Sequence, residues 1–134
     1  TFNKIKLTPS LWLYVIHSNN AELIHFLEDN HIDPPNDSYE ICFSESIKCH
    51  HNEIAAYILY TFLNDENNFT NKTIKCIINH YNYEYFTIQI NNNNNDFAVI
   101  YSLFKNEYFN FAYLYIETKE NMMINNEIIN IFNR

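Results

Sequence analysis

The sequence predicts an all-α fold, a solenoid of about four helix–turn–helix repeats followed by a partial fifth. The 134-residue chain can be laid over itself so that four segments fall into register, at offsets of 31, 31 and 26 residues. The segments are VIHSNNAELIHFL from Val15, SIKCHHNEIAAYI from Ser46, IINHYNYEYFTIQ from Ile77 and LFKNEYFNFAYLY from Leu103. In each segment a short polar patch separates two apolar runs, which is the pattern of two helices joined by a turn.

The first helix of each repeat is predicted from three apolar columns at i, i+3 and i+4 spacing, which share one face of a helix. The columns are Trp12, Phe43, Ile74 and Ile100; Val15, Ser46, Ile77 and Leu103; and Ile16, Ile47, Ile78 and Phe104. We expect this face to form the core.

The second helix is predicted from three further columns. They are Leu23, Ile54, Tyr85 and Phe111; Phe26, Tyr57, Ile88 and Leu114; and Leu27, Ile58, Gln89 and Tyr115. The last column is the least regular, because Gln89 places an amide where the other repeats carry an apolar group.

Three carboxylates, Glu22, Glu53 and Glu84, occupy the same position in the first turn of the predicted second helix. A carboxylate there meets the positive end of the helix dipole and unpaired backbone N–H groups. Asn19-x-x-Glu22 is similar to a capping box with Asn as the first residue. We therefore assign these carboxylates to helix capping rather than to catalysis, and Asn110 in the last repeat predicts a weaker cap.

The repeat resembles a known family. Its period is close to the roughly 33 residues of ankyrin repeats, Thr8-Pro9 stands near the position of the ankyrin Thr-Pro, and NNAELIHFLEDNHID is similar to the ankyrin helix pattern. The phrases LWLYVIHSNNAELIHFLEDN, SIKCHHNEIAAYI and HYNYEYF resemble divergent ankyrin-like repeat proteins of trichomonad protists, over roughly residues 8–116. The resemblance implies a repeat solenoid used for protein contacts, and it implies no catalytic residue.

The glycine at the ankyrin turn is replaced here by Asn19, His50, Tyr81 and Glu107. Asn and His tolerate left-handed backbone better than most residues. We expect regular turn geometry at Asn19 and His50, and a departure from it at Tyr81 and Glu107.

The domain organisation follows from these repeats. We expect one repeat domain over 1–134, with repeats at approximately 8–37, 38–69, 70–95 and 96–124 and a partial fifth over 125–134. The chain opens without a methionine and stops soon after the apolar pattern NEIINIF, which predicts a fragment of a longer polypeptide.

Composition restricts the function. The net charge of −8 disfavours nucleic acid and anionic lipid as partners. The chain has no glycine, and this excludes the glycine-rich loops that bind nucleotide phosphates. Three cysteines without disulfide-framework spacing indicate reduced thiols and a cytoplasmic location, with a nuclear or cytoskeletal one as the alternative.

The run Cys49-His50-His51 invites a metal or catalytic assignment. Adjacent side chains on a helix diverge by about 100°, and the spaced pair Cys76 and His80 belongs to the next repeat. Zinc needs ligands that converge tetrahedrally, and a catalytic thiol needs a base and an orienting group. The sequence thus predicts no metal site, no cofactor and no catalytic residue, and it assigns His50 and His51 to the turn.

The predicted function is a non-catalytic protein–protein interaction module or scaffold whose partner binds the solenoid surface. One alternative is a structural subunit of a larger assembly, such as a cytoskeletal complex. Another, less favoured, is a metal- or thiol-dependent enzyme around Cys49 and Cys76. No membrane, nucleic acid or small-molecule substrate is expected.

The contact surface is predicted on the first helices, because their outward columns vary while the core columns stay apolar. At i, i+4 spacing these columns form one exposed stripe. We call this set the first-helix stripe: Leu13, His17, Ser44, Lys48, Lys75, Asn79, Tyr101 and Lys105. Its three lysines suit an acidic partner segment, although an ordinary solvated face would carry the same residue types.

Overall fold

The computed structural model describes residues 7–63, 71–92 and 96–133. Over this part of the chain the fold is all-helical and contains no β-strand. The α-helices are α1 (Leu11–Ser18), α2 (Ala21–Asp29), α3 (Tyr39–Lys48), α4 (Asn52–Ile58), α5 (Asn71–Asn79), α6 (Tyr83–Asn92), α7 (Asp96–Lys105) and α8 (Phe109–Phe132). A 3₁₀ turn covers Pro35–Asp37, and a π-helical turn, Leu59–Leu63, continues α4.

The helices form four pairs whose connecting turns share one backbone conformation. The φ angles of the turn residues are positive at all four aligned positions, with 53° at Asn19, 58° at His50, 52° at Tyr81 and 60° at Glu107. Each of these residues donates its N–H to the carbonyl three residues earlier, at 3.0–3.1 Å. The expected departure at Tyr81 and Glu107 is therefore wrong, and both hold the left-handed conformation although a residue with a Cβ is disfavoured there by roughly 1–2 kcal/mol.

A second hydrogen bond explains why the last two turns keep this geometry. The N–H after the left-handed residue bonds to the carbonyl five residues earlier in three repeats: His51 to Ser46 (3.0 Å), Asn82 to Ile77 (3.1 Å) and Tyr108 to Leu103 (2.9 Å). These are the bonds of a Schellman motif, which satisfies the free carbonyls at a helix C-terminus. Hydrogen bonding and burial of the flanking helices together offset the backbone strain.

The chain divides into two compact units, Thr1–Glu66 and Asn67–Arg134. In the first unit α1 packs against α2 and α3, and α3 packs against α4. Trp12 is fully buried and donates its indole N–H to the carbonyl of Ile32 at 2.8 Å. Its ring meets Tyr39 and Phe62 edge to face at 5.4 and 5.9 Å. This tryptophan ties the first helix to the segment that follows the first pair.

The second unit packs α5 against α6, and both α6 and α7 against α8. Phe111 of α8 lies between two rings of α6, stacked on Tyr83 at 4.8 Å and edge to face with Phe86 at 5.0 Å. Tyr115 donates its hydroxyl to the carboxylate of Asp96 at the start of α7. Aromatic contacts thus join α8 to α6 in the second unit, as they join α1 to later residues in the first.

The first-helix core face is largely confirmed. The Trp12 and Ile16 columns are buried in the first three helix pairs, and the Val15 column is buried in all four. The last repeat departs from the pattern, since Ile100 is half-buried and Phe104 is 38 % exposed.

The second-helix face is confirmed in part. In the Leu23 column only Leu23 is exposed, at 39 %, while Ile54, Tyr85 and Phe111 are buried as predicted. The Phe26 column is not buried, since Phe26 is 48 % exposed and Ile88 is exposed as well. The column one residue after Leu23 is buried throughout: Ile24, Ala55, Phe86 and Ala112. The Leu27 column, with Gln89 in it, is also fully buried. Ala55 and Ala112 are small side chains that pack closely in the core. A prediction based on the size of apolar side chains does not select such a column.

Glu22, Glu53 and Glu84 lie in the first turn of their second helices, as predicted. The capping asparagine, however, is Asn20 and not Asn19: Oδ1 of Asn20 accepts from the N–H of Glu22 at 3.0 Å. Asn19 is left-handed and ends α1, and a residue in that conformation cannot serve as an N-cap with extended backbone.

The final helix is much longer than the other second helices. α8 spans 24 residues and crosses Asn125, where the sequence predicts the start of a fifth repeat, without a break.

Candidate interaction surface

The first-unit half of the first-helix stripe lies on α1 and α3, which pack side by side. His17 and Lys48 are exposed, whereas Leu13 and Ser44 are half-buried. Leu13 and His17 line a shallow pocket of about 260 Å³ together with Ser10 and Tyr14. This half therefore has an apolar hollow beside two basic side chains.

Both basic side chains face the same carboxylate. Nε2 of His17 lies 2.6 Å from Oε1 of Glu45, and Nζ of Lys48 lies 3.8 Å from the same oxygen. Glu45 follows Ser44 of the stripe and was not among the predicted contact residues. Exposed pairs of this kind stabilise a fold by only about 0–1 kcal/mol, but Glu45 reduces the positive charge that this half could offer to an acidic partner.

The second-unit half lies on α5 and α7. Lys75 and Asn79 are exposed on α5, and Tyr101 and Lys105 are exposed on α7. Each pair keeps the predicted i, i+4 spacing.

On α7 the stripe extends one turn toward the N-terminus through Phe97. Phe97 is 82 % exposed and Tyr101 is 59 % exposed. Their rings stack with centroids 6.3 Å apart and planes 18° apart, and Nζ of Lys105 lies 6.0 Å from the centroid of Tyr101. We call Phe97, Tyr101 and Lys105 the α7 ridge. Phe97 was not among the predicted contact residues, although it stands four residues before Tyr101, at the i, i+4 spacing of the stripe.

A second aromatic group lies where α7 meets α8. Phe104 contacts Phe109 at 5.9 Å and Tyr113 at 6.1 Å between ring centroids. All three rings are exposed. The second unit thus displays much more aromatic surface than a solvated helix face requires.

The cysteine and histidine run at 49–51 does not converge. His50 is the exposed left-handed residue of the turn, and Nδ1 of His51 donates to the carbonyl of Ile16 at 2.7 Å. Both histidines are turn residues, as predicted. Cys49 ends α3 and is half-buried.

The thiols of the first unit are held in the protonated form. Burial raises the pKa of Cys42 from its usual 9.0 to about 12. Burial also raises the pKa of Cys49, and the carboxylate of Glu45 raises it further, while Lys48 lowers it. A nucleophilic thiol needs the opposite shift.

Comparison with models of protein families, with curated proteins and with solved structures found no match to this chain. Over the described ranges, no helix is both long enough and apolar enough to cross a membrane. Even α8, long enough by residue count, carries Glu117, Lys119, Glu120 and Glu127.

Proposed function

We infer that this chain is a non-catalytic interaction module, an ankyrin-like helical repeat solenoid that binds a protein partner through the α7 ridge. The observation that carries the proposal is the exposure of Phe97 and Tyr101 as a stacked pair with Lys105 beside them. Exposed aromatic rings beside a cation are typical of the anchor residues of protein interfaces.

The partner fits this surface if it brings apolar side chains for the two rings and a carboxylate for Lys105. The net charge of the chain supports this assignment. At −8, the chain has few other surfaces that would attract an acidic segment. Nucleic acid would need a basic groove beside the aromatic rings. A folded or extended protein segment is therefore the proposed ligand, met in the cytoplasm or nucleus.

The absence of catalysis is also part of the proposal. Two of the three thiols have raised pKa values, so they stay protonated at neutral pH. The carboxylates Glu22, Glu53 and Glu84 each lie in the first turn of a different second helix, near the positive end of its dipole. A general acid and base would have to share one cleft.

A pair of variants tests the surface. Phe97→Ala/Tyr101→Ala/Lys105→Glu changes only exposed side chains, so its melting temperature should stay within a few degrees of the wild type. In affinity purification with quantitative mass spectrometry, it should lose the partner that the wild type recovers. Tyr60→Ala, an exposed tyrosine of the first unit, is the matched control and should keep it. Retention of every partner by the triple variant would contradict the proposal.

A third variant asks whether the rest of the first-helix stripe takes part. Lys75→Glu reverses one exposed charge of the second unit outside the α7 ridge. A smaller loss of partner than for the triple variant would extend the surface onto α5. No loss would confine it to α7.

A structural subunit of a larger assembly is the second candidate, favoured by the end of α8. Five large apolar side chains are exposed there: Met123, Ile124, Ile128, Ile129 and Ile131. Co-purification of one partner at fixed stoichiometry, unchanged by high salt, would favour a permanent assembly over a reversible adaptor.

A further inference from the structure

The C-terminal ends of α1 and α3 bring together three side chains of the types that bind transition metals. They are His17 from the last turn of α1, Glu45 from α3 and Cys49, the residue that ends α3. One ligand atom from each, a ring nitrogen, a carboxylate oxygen and Sγ, all lie within 4.8 Å of one another. No sequence pattern links them, because His17 stands 28 residues before Glu45.

The spacing fits one small ion. A tetrahedral zinc centre has bonds of about 2.0–2.1 Å to nitrogen and oxygen and about 2.3 Å to sulfur, which separates its ligand atoms by roughly 3.3–3.8 Å. The 2.6 Å contact between Nε2 of His17 and Oε1 of Glu45 has to open for an ion to enter, and any pair of ligand atoms near the 4.8 Å limit has to approach by about 1 Å. His17 is exposed, so its ring can turn about its two side-chain bonds.

The chemistry of the donors also favours zinc. A thiolate and an imidazole together select zinc over magnesium or calcium, which prefer oxygen ligands alone. The contact between His17 and Glu45 is bridged by a proton, and a cation would take the place of that proton and of the proton on the Cys49 thiol. Two helix C-termini meet at the cluster, and their partial negative charge favours a cation.

We propose that His17, Glu45 and Cys49 form a zinc-binding site with three protein ligands and a fourth position open to water. It revises the expectation of no metal, which considered Cys49 with His50 and His51 and with the pair Cys76 and His80, but not with His17 and Glu45. The zinc site shares no residue with the α7 ridge. The two proposals are therefore independent, and an experiment can refute one without refuting the other.

Lys48 opposes the ion. Its Nζ lies 3.8 Å from the liganding oxygen of Glu45, and its charge repels a divalent cation. The side chain is largely exposed and reaches solvent easily. The site therefore binds zinc in competition with Lys48, and removing this charge should strengthen binding by about threefold to tenfold.

Cobalt(II) titration of the full chain tests the site, because cobalt reports both its ligands and its geometry. The protein is reduced with a phosphine, freed of metal with a chelator and titrated at one fixed pH. The expected result is a thiolate-to-cobalt charge-transfer band and the visible bands of a tetrahedral centre, which saturate at one equivalent and vanish when zinc is added. Absence of a charge-transfer band would overturn the proposal.

Variants assign the ligands. Cys49→Ser should abolish the charge-transfer band, and His17→Ala and Glu45→Gln should each weaken binding at least about tenfold. Lys48→Gln should strengthen it. Circular dichroism of each variant verifies that the helices remain, so that loss of binding is not loss of fold.

Two matched controls separate this cluster from similar groups. His25 lies 2.9 Å from the carboxylate of Glu28 in the same way, without a cysteine in the group, so His25→Ala should leave cobalt binding unchanged. Cys76→Ser removes a half-buried thiol of the second unit and should also leave it unchanged. If Cys76→Ser removes the band and Cys49→Ser does not, the metal binds elsewhere and the proposal is wrong.

Discussion

The ring of His51 donates a hydrogen bond from Nδ1 to the main-chain carbonyl of Ile16, 2.7 Å away. A carbonyl oxygen can only accept, so this histidine carries its proton on Nδ1. The bond links the turn of the second helix pair to the end of α1 in the first pair. It therefore fixes the second helix pair to the first within the first unit.

Loss of this bond should destabilise the fold. His51→Ala leaves the partly buried carbonyl of Ile16 without the imidazole donor, and the free energy of unfolding should fall by about 1–2 kcal/mol. Chemical denaturation followed by circular dichroism measures the change. His50→Asn is the control, because Asn tolerates the left-handed backbone at position 50, and it should change stability by less than about 0.5 kcal/mol. Equal stability of both variants would show that the ring bond contributes nothing.

Glycine at the last two turns should stabilise the protein. Tyr81 and Glu107 have φ angles of 52° and 60°. A residue with a Cβ is disfavoured there, while glycine raises the entropy of the unfolded chain. The balance predicts a gain of about 0.5–1 kcal/mol for Tyr81→Gly or Glu107→Gly. Asn106→Gly, next to Glu107 but without positive φ, should lower stability instead, and a gain there would refute the explanation.

Gln89 should be a weak point of the second unit. Its side chain is fully buried, and within the described residues neither Oε1 nor Nε2 has a hydrogen-bond partner. The same column holds Leu27 and Ile58 in the first unit. Gln89→Leu should therefore raise the free energy of unfolding by about 1–3 kcal/mol, the cost of burying an unpaired amide. Gln89→Ala, which removes the amide but leaves a cavity, should gain less. A loss of stability in Gln89→Leu would mean that the amide is satisfied.

The buried thiol of Cys42 predicts alkaline sensitivity. Its pKa is about 12 in the folded protein against 9.0 for an ordinary cysteine. The stabilising effect of the neutral thiol is complete below pH 9 and is lost between pH 9 and 12, where the unfolded chain releases the proton and the folded chain keeps it. One such thiol contributes a slope of up to about 1.4 kcal/mol per pH unit.

Cys42→Ala should make the decline of stability above pH 9 less steep, even if the smaller side chain lowers stability at every pH. Urea denaturation across this pH range measures the slope. Burial also raises the pKa of Tyr39 and Tyr57, so part of the decline should remain in the variant. Cys76→Ala serves as the control for losing a thiol. An identical slope in Cys42→Ala and the wild type would contradict the assignment.

Sequence periodicity was sufficient to predict the helix pairs, the turn positions and most of the first-helix core. It failed where two neighbouring apolar residues compete for the core. Leu23 and Ile24 are equally suited to burial by composition, and only packing between helices decides for Ile24. The cap at Asn20 was missed for a similar reason, because the left-handed φ of Asn19 moves the cap by one residue.

The candidate sites depended on relations that a repeat pattern does not contain. Phe97 stands four residues before Tyr101 of the predicted stripe, so it could have been predicted from the sequence. The contact of His17 with Glu45 was not, because it depends on how closely the ends of α1 and α3 approach. The length of α8 was also not predicted, because asparagines stand at 125 and 126 as at the end of α1, and yet the helix continues through them.

Site-specific photocrosslinking from Tyr101 tests the central claim most directly. A photoreactive phenylalanine analogue replaces Tyr101 in the full chain, and in a second sample it replaces the exposed Tyr60 of the first unit. If the α7 ridge binds a protein, irradiation in cells should produce one discrete crosslinked species from position 101. That species should be absent from position 60 and lost when Phe97→Ala and Lys105→Glu are added. No crosslink from position 101, or the same species from both positions, would contradict the assignment of this surface.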